Sequence, residues 1–371
     1  MVAFLAATPY QVLNCINIAL SFHPNEERDI YIFLFATDLR AIAKQLQSTD
    51  VFTNVYVLEK FATVPGKIGI IKDFIIKDKQ LKRCLSLATY DVLYITYIGD
   101  RCIEIYNQML KKNSNLKLRF YDEGIGIYIV KMYESSANMR TLFQILKYRY
   151  VNNYVESIYV YQPSLMMSNT EFPTVKIPPI ARGNEYLLTL LNSIFCIDLS
   201  KKEIENYPIV FLEQCFGKYL SYNNYRKMFR FDNEQLLDLL AQQFEVADIL
   251  VKLHPITEIT SYDGSVYQIA EQNGQPWEIM VYNTPNVENK LLATVNSTAA
   301  LTPKLLFDEE PTILIMAKAL HNSGLSDEIW NLNMEKLFSS FRNCYRNPEK
   351  VLIPSSMQEL GEVLKNLRKT I

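Results

Sequence analysis

Short apolar runs recur along the chain, and polar or helix-forming stretches separate them. In the first half they cover residues 2–7, 30–36, 55–58, 92–98, 116–120 and 157–161. In the second half they cover residues 209–212, 249–253, 291–295 and 312–316. Continuous apolar runs of this length predict strands that are buried on both faces. Because helical stretches alternate with them, they predict an α/β protein with mainly parallel sheets.

Capping residues predict where two helices begin. Thr8 and Pro9 have the residue types of an N-cap and a first helical position, directly after the first predicted strand. Asp232 followed by Gln235 predicts a capping box ahead of a helix over residues 236–244.

A proline-rich stretch over residues 172–179 predicts a linker between two domains. The length of 371 residues also favours two domains or one large one. We therefore expect an N-terminal Rossmann-like domain over 1–172, a linker and helical crossover over 173–207, a C-terminal Rossmann-like domain over 208–355 and a C-terminal helix over 356–371.

Composition narrows the class of protein. The chain is 49% hydrophobic and 21% charged with a formal net charge of −2, which indicates a folded globular protein whose main partner is not nucleic acid. It has 11 glycines and neither a GxGxxG nor a Walker A pattern, which argues against a dinucleotide- or ATP-binding loop. Its six cysteines are scattered and lack CxxC spacing, so we expect reduced thiols. The apolar start lacks a basic leader, and no long uncharged apolar run follows, so we expect a cytoplasmic protein without a transmembrane helix.

Polar groups follow three of the predicted strands. These groups are Asp122-Glu123-Gly124, Lys252-Leu253-His254-Pro255 and Asn296-Ser297-Thr298. Ligands of open α/β sheets bind outside the carboxyl ends of the strands. An acid, a histidine and a pair of hydroxyls at such ends therefore predict one dispersed active site. Each group also has a structural alternative: a surface turn, a hydrogen-bonded structural histidine and a helix cap.

The chemistry of each group supports a role in catalysis or binding. Adjacent carboxylates at Asp122 and Glu123 raise each other's pKa, which suits a general base near neutral pH. His254 follows a strand, whereas His23 follows a helical stretch, so we expect His23 in a surface turn. Ser297 and Thr298 precede a predicted helix, whose N-terminus can bind a phosphate or simply be capped by these hydroxyls.

The order of the three motifs resembles that of the bacterial sialyltransferases, most closely the lipooligosaccharide and capsular type of glycosyltransferase family 52. Those enzymes have an acidic-acidic-Gly motif, a His-Pro motif and a Ser-Ser/Thr motif in this order. The segment Gln275-Pro276-Trp277-Glu278 resembles their Pro-x-Glu element, and residues 6–11 resemble their first strand and turn. The resemblance implies a GT-B-like α/β fold, with two Rossmann-like domains and a cleft between them.

The resemblance also implies an activity: inverting transfer of sialic acid from CMP-sialic acid to a terminal sugar, expected to be galactose, of a bacterial lipooligosaccharide or capsule. Asp122 would be the base, and His254 would protonate or hydrogen-bond the departing phosphate. Ser297 and Thr298 would hold that phosphate, and Glu278 would bind the ribose. Glu123, Gly124, Lys252 and Pro255 would complete the substrate contacts, although strand alternation would point Lys252 away from His254.

Several alternatives stay open. Glu213, at the end of the strand over 209–212, is a rival base; we favour Asp122, with Glu123 in support. The single phosphate of a CMP-sugar and the absence of an Asp-x-Asp element predict a reaction without a metal or another cofactor. The donor could instead be CMP-Kdo, another nonulosonate or a different nucleotide sugar, or the protein could bind nucleotides or glycans without catalysis.

Two basic amphipathic segments, 60–83 and 140–149, raise the expectation of peripheral contact with the inner face of the cytoplasmic membrane. The alternative for both is an ordinary exposed helix, because Asp73 and Asp78 dilute the charge of the first. The expected partners are thus a CMP-sugar donor and a glycan acceptor. The acceptor, the linkage and the oligomeric state stay open.

Overall fold

A computed structural model describes residues 1–34, 38–58, 85, 88–97, 100–129, 154–167, 172–201, 203–214, 233–255, 257, 262–271, 275–325 and 329–369. The chain forms two compact units, each with its own parallel sheet. Unit 1 comprises Met1–Pro178 with Ser193–Cys196, and unit 2 comprises Pro179–Asn192 with Ile197–Ile371. The prediction of an α/β protein with two Rossmann-like domains is confirmed.

In the described part of unit 1 the sheet has seven strands, in the order β3-β2-β1-β4-β5-β6-β7. Their bounds are β1 Val2–Ala6, β2 Arg28–Phe33, β3 Asn54–Leu58, β4 Val92–Ile95, β5 Lys117–Tyr121, β6 Val155–Val160 and β7 Thr174–Lys176. β2 pairs with one side of β1, and β4, which comes later in the chain, pairs with the other side. The boundary between β1 and β4 is therefore a topological switch point, where open α/β sheets bind ligands.

Four helices of unit 1 are described: α1 Pro9–Phe22, α2 Arg40–Gln47, α3 Asp100–Leu110 and α4 Ile125–Ile129. The predicted start of α1 is confirmed. The side chain of Thr8 accepts a hydrogen bond from the Gln11 backbone N–H, and Pro9 occupies the first turn. The cap satisfies a backbone donor that the helix itself leaves without a partner, so it fixes where the chain leaves β1.

Unit 2 repeats this arrangement, and its described residues form six strands in the order β10-β9-β8-β11-β12-β13. Their bounds are β8 Ile209–Leu212, β9 Ile249–Lys252, β10 Gln268–Ile269, β11 Leu291–Thr294, β12 Thr312–Ile315 and β13 Val351–Leu352. The helices after residue 179 are α5 Glu185–Ile194, α6 Glu203–Asn206, α7 Asn233–Ala241, α8 Trp277–Asn283, α9 Thr302–Phe307, α10 Ala317–Asn322, α11 Leu332–Arg342 and α12 Met357–Leu367. The switch point here lies between β8 and β11.

The predicted linker over 172–179 is wrong in part, because Thr174–Lys176 forms β7 and pairs with β6. Prolines 173, 178 and 179 flank this strand and were the reason for predicting a linker. Proline cannot donate to a strand ladder, but it is tolerated beside a short edge strand such as this one. The two units meet in sequence at residues 178 and 179, within the same stretch.

Some predicted features lie outside the described residues. They are Asp232 of the predicted capping box and the basic segments 60–83 and 140–149. Within the described ranges, no helix is both long and apolar enough to cross a bilayer.

His23 is buried, so the prediction that it lies in a surface turn is wrong. The residue does end α1, but its side chain is only 5% exposed. Its Nε2 lies 2.9 Å from the Tyr94 hydroxyl and its Nδ1 lies 2.6 Å from a Glu26 carboxylate oxygen. The ring also packs edge-on against Phe4 and Tyr94. The sequence around His23 shows the turn but not the distant aromatic rings that cover it.

We expect His23 to make folding stability depend on pH. Burial lowers its pKa below the ordinary value of 6.5, so the unfolded chain binds the proton more readily than the folded chain does. The contribution of His23 is therefore complete above pH 6.5 and is lost as the pH falls through the lower folded pKa. Urea denaturation from pH 8 to 5 should show a steeper loss for wild type than for His23→Gln. Parallel curves for wild type and His23→Gln would contradict the prediction.

Candidate functional site

Three adjacent strands of unit 2 bring predicted site residues to one edge of the sheet. Leu212, the last residue of β8, is in register with Lys252 of β9 on one side and with Thr294 of β11 on the other. The residues that follow these strand ends include Glu213, His254 and Ser297. The predicted juxtaposition of these residues therefore results from aligned strand ends at the switch point.

The carboxylate of Glu213 is buried and organises the loop after β9. It accepts hydrogen bonds from the His254 backbone N–H at 2.8 Å, the Asn233 side-chain amide at 2.9 Å and the Tyr262 hydroxyl at 3.2 Å. The Thr257 side chain is a further donor. Burial raises the pKa of Glu213, whereas these donors oppose the rise. With four donors on it and 5% exposure, this carboxylate positions His254.

Lys252 and Glu278 are both buried, and the charge of Lys252 acts on Glu278 and on His254. Their exposures are 5% and 8%. Burial raises the pKa of Glu278 to about 7, against the charge of Lys252 and a hydrogen bond from its own backbone N–H. His254 is half-buried, and burial followed by the charge of Lys252 lowers its pKa. Lys252 thus acts electrostatically on both groups, although strand alternation alone would point it away from His254.

A tryptophan ties the segment that carries Glu278 to the Ser-Thr segment. Glu278 lies in the first turn of α8, and the neighbouring Trp277 indole N–H donates to the Ala299 carbonyl at 2.7 Å. Ser297 caps the 3-10 turn Thr298–Ala300 by accepting from the Ala299 N–H at 3.3 Å. The capping role considered for Ser297 is therefore present in the structure.

The His-Pro segment forms a closed turn. Pro255 follows His254, and the Thr257 N–H donates to the His254 carbonyl at 2.9 Å. Proline restricts the backbone at the second position of this turn. This turn and the hydrogen bond from the His254 N–H to Glu213 together fix the backbone on both sides of His254.

Asp122 of unit 1 is completely buried, at 0% exposure, and its carboxylate is surrounded by donors. Oδ1 accepts from the Gly124 N–H at 2.8 Å and the Tyr10 hydroxyl at 3.2 Å. Oδ2 accepts from the Tyr128 hydroxyl and, at 3.4 Å, from the Tyr161 N–H. Burial raises the pKa of Asp122, while these four donors oppose the rise.

Glu123 is half-buried and has fewer partners than Asp122. Within the described parts of the chain, its carboxylate accepts from the Gln11 side-chain amide at 3.3 Å and from the Thr96 hydroxyl. Burial raises the pKa of Glu123 to about 7, and the charge of Asp122 adds to the rise. Gly124, with a φ of +106°, allows the chain to turn immediately after the two acids.

The predicted residues thus fall into two groups, one in each unit. Unit 2 holds Glu213, Lys252, His254, Pro255, Glu278, Ser297 and Thr298, and unit 1 holds Asp122, Glu123 and Gly124. The residues that position these groups were not predicted from the sequence; they include Gln11, Thr96, Tyr128, Tyr161, Asn233 and Tyr262. Gln11 lies in residues 6–11, which resemble the first strand and turn of the bacterial sialyltransferases. The others carry no sequence signal, because only the fold brings them to Asp122, Glu123 and Glu213.

Comparisons with known proteins support the fold. No family model matches the chain, and no curated protein matches it. A UDP-GlcNAc 2-epimerase from Neisseria meningitidis, bound to UDP-GlcNAc, is 12% identical with a TM-score of 0.50, over 99% of this chain and 97% of that one. The corresponding epimerase from Methanocaldococcus jannaschii is 12% identical with a TM-score of 0.46, over 99% of each chain. MurG from Acinetobacter baumannii is 8% identical with a TM-score of 0.40, over 98% of this chain and 99% of that one. The similarity to the Neisseria structure covers almost all of both chains and supports a GT-B-like fold built from two Rossmann-like units.

Proposed function

We propose that the protein is an inverting glycosyltransferase that moves sialic acid from CMP-sialic acid to a terminal galactose of a bacterial surface glycan, without a metal or another cofactor. The observation that carries the proposal is the edge of the unit 2 sheet. There the Glu213 carboxylate accepts from the His254 backbone N–H at 2.8 Å, and the buried Lys252 acts electrostatically on His254 and on the buried Glu278. We propose that this edge binds the donor and that the acidic motif of unit 1 serves the acceptor.

The charges of this edge suit a leaving phosphate. As the glycosidic bond to CMP breaks, the phosphate changes from a diester to a monoester and gains negative charge. Lys252 supplies a cation, and His254 supplies an imidazole whose backbone is fixed. Preorganised groups of this kind can be worth roughly 3–4 kcal/mol each in the transition state. Glu278 would accept hydrogen bonds from the ribose hydroxyls.

Three buried amide oxygens give further support for a ligand at this edge. Among the described residues, the side-chain oxygens of Gln214, Asn233 and Asn296 are buried and have no hydrogen-bond partner. The amide nitrogens of two of them are already used, Asn233 on Glu213 and Asn296 on the Ile329 carbonyl. An unpaired buried acceptor costs about 1–3 kcal/mol. A ligand with several N–H and O–H donors, such as a cytidine nucleotide, would remove this cost.

CMP release tests the proposed function. Purified protein is incubated with CMP-N-acetylneuraminic acid, with and without lactose, while CMP and the sialylated product are quantified. We expect CMP release that lactose stimulates, with one sialyl-lactose formed for each CMP released in the stimulated fraction. CMP-Kdo and UDP-GlcNAc serve as matched donors.

Each other outcome rejects part of the proposal. Release from CMP-Kdo alone would replace the donor with another nonulosonate. Turnover of UDP-GlcNAc alone would reject a CMP-sugar donor. If no donor is consumed but CMP raises the melting temperature, the protein is a nucleotide-binding protein without transferase activity.

A further inference from the structure

We infer that Glu123, and not Asp122, is the general base that deprotonates the acceptor hydroxyl, and that Asp122 is a positioning residue. The inference rests on the proposed function, because it names the base of that transfer. It reverses the order that the resemblance implied, in which Asp122 was the base and Glu123 a supporting residue. The two carboxylates are neighbours in sequence but differ in exposure and in the donors around them.

The surroundings of Asp122 leave no place for a substrate. Its side chain has no exposed surface, and donors reach both carboxylate oxygens. Its own carbonyl accepts from the Asn14 side chain at 2.8 Å. A base must come within about 2.6–3.2 Å of the proton-bearing atom in the substrate. Asp122 could do so only if several of its buried contacts broke first.

Glu123 lies where a substrate can reach it. It is half-buried at the carboxyl end of β5, and its partners come from the two strand ends that form the switch point of unit 1. Gln11 lies just after β1, and Thr96 directly follows β4. Tyr97, the next residue, is 42% exposed at this edge and offers an aromatic side chain for an acceptor sugar.

The Gln11 amide fixes the Glu123 carboxylate without surrounding it. Gln11 Oε1 accepts from the Ala7 N–H at 2.7 Å, which sets the orientation of the amide. Its Nε2 is then shared between Thr96 Oγ1 at 3.4 Å and Glu123 Oε2 at 3.3 Å. The contact from Gln11 to Glu123 is longer than the usual 2.7–3.2 Å, so this amide is a weak donor to a carboxylate that keeps acceptor capacity.

The Glu123 carboxylate takes the proton of the acceptor hydroxyl while the hydroxyl oxygen forms a bond to the anomeric carbon of sialic acid. The bond from that carbon to the CMP phosphate oxygen breaks, and its electron pair stays on the phosphate. Glu123 leaves the step as a carboxylic acid and returns the proton to water after product release. A pKa of about 7 for Glu123 makes both states accessible near neutral pH.

Steady-state kinetics on four variants tests the inference. We compare Glu123→Gln, Glu123→Asp, Asp122→Asn and Glu213→Gln from pH 5.5 to 9, and measure CMP binding by calorimetry. Glu123→Gln should lose about 10²–10⁴-fold in kcat while it binds CMP as the wild type does. The wild-type kcat/KM for the acceptor should rise with pH through about 7, and this rise should be absent in Glu123→Gln. The rise of kcat/KM with pH should remain in Glu123→Asp, in Glu213→Gln and in a folded Asp122→Asn.

A small-carboxylate rescue separates a base from a structural carboxylate. Added formate should restore activity to Glu123→Gly and leave Asp122→Gly inactive. If Glu123→Gln keeps both its rate and the rise with pH while the wild type transfers, the base assignment is wrong and the proposed function stands. If the wild type releases no CMP from any donor, the proposed function is rejected and the base assignment with it.

Discussion

Replacing His254 by alanine is expected to lower acceptor-dependent CMP release by about 10²–10⁴-fold, the usual contribution of a positioned general acid. The free energy of unfolding should change little, because the ring is half-buried and the Glu213 contact is to the backbone N–H, which alanine retains. The effect should therefore fall on kcat, and melting temperatures should nearly coincide. The measurement is CMP release at saturating donor, with a thermal melt of each protein.

The charges around His254 suit the phosphate role that the proposed function gives it. In the free chain, burial and Lys252 lower its pKa, which favours the neutral imidazole. A bound donor phosphate brings negative charge, and an opposite charge nearby favours the protonated ring. We therefore expect the ring to be ready to donate a hydrogen bond or a proton when charge builds on the departing CMP.

A second histidine provides the control for His254. His321 lies on α10, outside the motifs that define the site, so His321→Ala should release CMP at the wild-type rate. A fall of less than tenfold for His254→Ala, with CMP still bound, would remove His254 from the chemistry. The phosphate would then depend on Lys252 and the capped turn at Ser297.

The sequence predicted the main strands well and the sheet edges poorly. The run over Ile209–Leu212 matches β8 at both ends because four apolar residues stand between Pro208 and the charged Glu213. The edge strand β10, with two residues, leaves no periodic pattern to detect. The strand β7 was missed because flanking prolines are typical of a linker as well as of a sheet edge.

The sequence singles out candidate site residues but does not show how their surroundings differ. The sequence places Asp122 and Glu123 side by side, and the resemblance favours Asp122 as the base; the fold shows that their surroundings differ. Tyr10 and Tyr161 reach Asp122 from positions 112 and 39 residues away. No local pattern reports such contacts. The same limit applies to His23, whose covering partner Tyr94 lies 71 residues along the chain.

The four acids of the two edges fall into two kinds. Asp122 and Glu213 each accept hydrogen bonds from four donors among the described residues, so they hold neighbouring backbone in place. Glu123 and Glu278 have fewer donors, and burial raises the pKa of each to about 7. Each unit thus pairs one carboxylate that organises a loop with one that is suited to contact a substrate.

Replacing Asp122 by alanine is expected to lower the free energy of unfolding by about 3–5 kcal/mol, because the buried hydroxyls and N–H groups around it would lose their acceptor. The tyrosine hydroxyls of Tyr10 and Tyr128 and the backbone N–H groups of Gly124 and Tyr161 would all be affected. Urea denaturation at pH 7 measures the change.

The neighbouring residue gives a matched control for that loss. Glu123→Ala removes a half-buried carboxylate that accepts from the Gln11 amide and the Thr96 hydroxyl. The free energy of unfolding should therefore fall much less than in Asp122→Ala. The effect of Glu123→Ala on the free energy of unfolding should also depend on pH. Because burial raises the pKa of Glu123 from 4.5 to about 7, its stabilising contribution is complete below pH 4.5 and is lost as the pH rises through 7. Equal losses in the free energy of unfolding would contradict the proposed roles of Asp122 and Glu123. Those roles require the stabilising buried contacts to be made by Asp122.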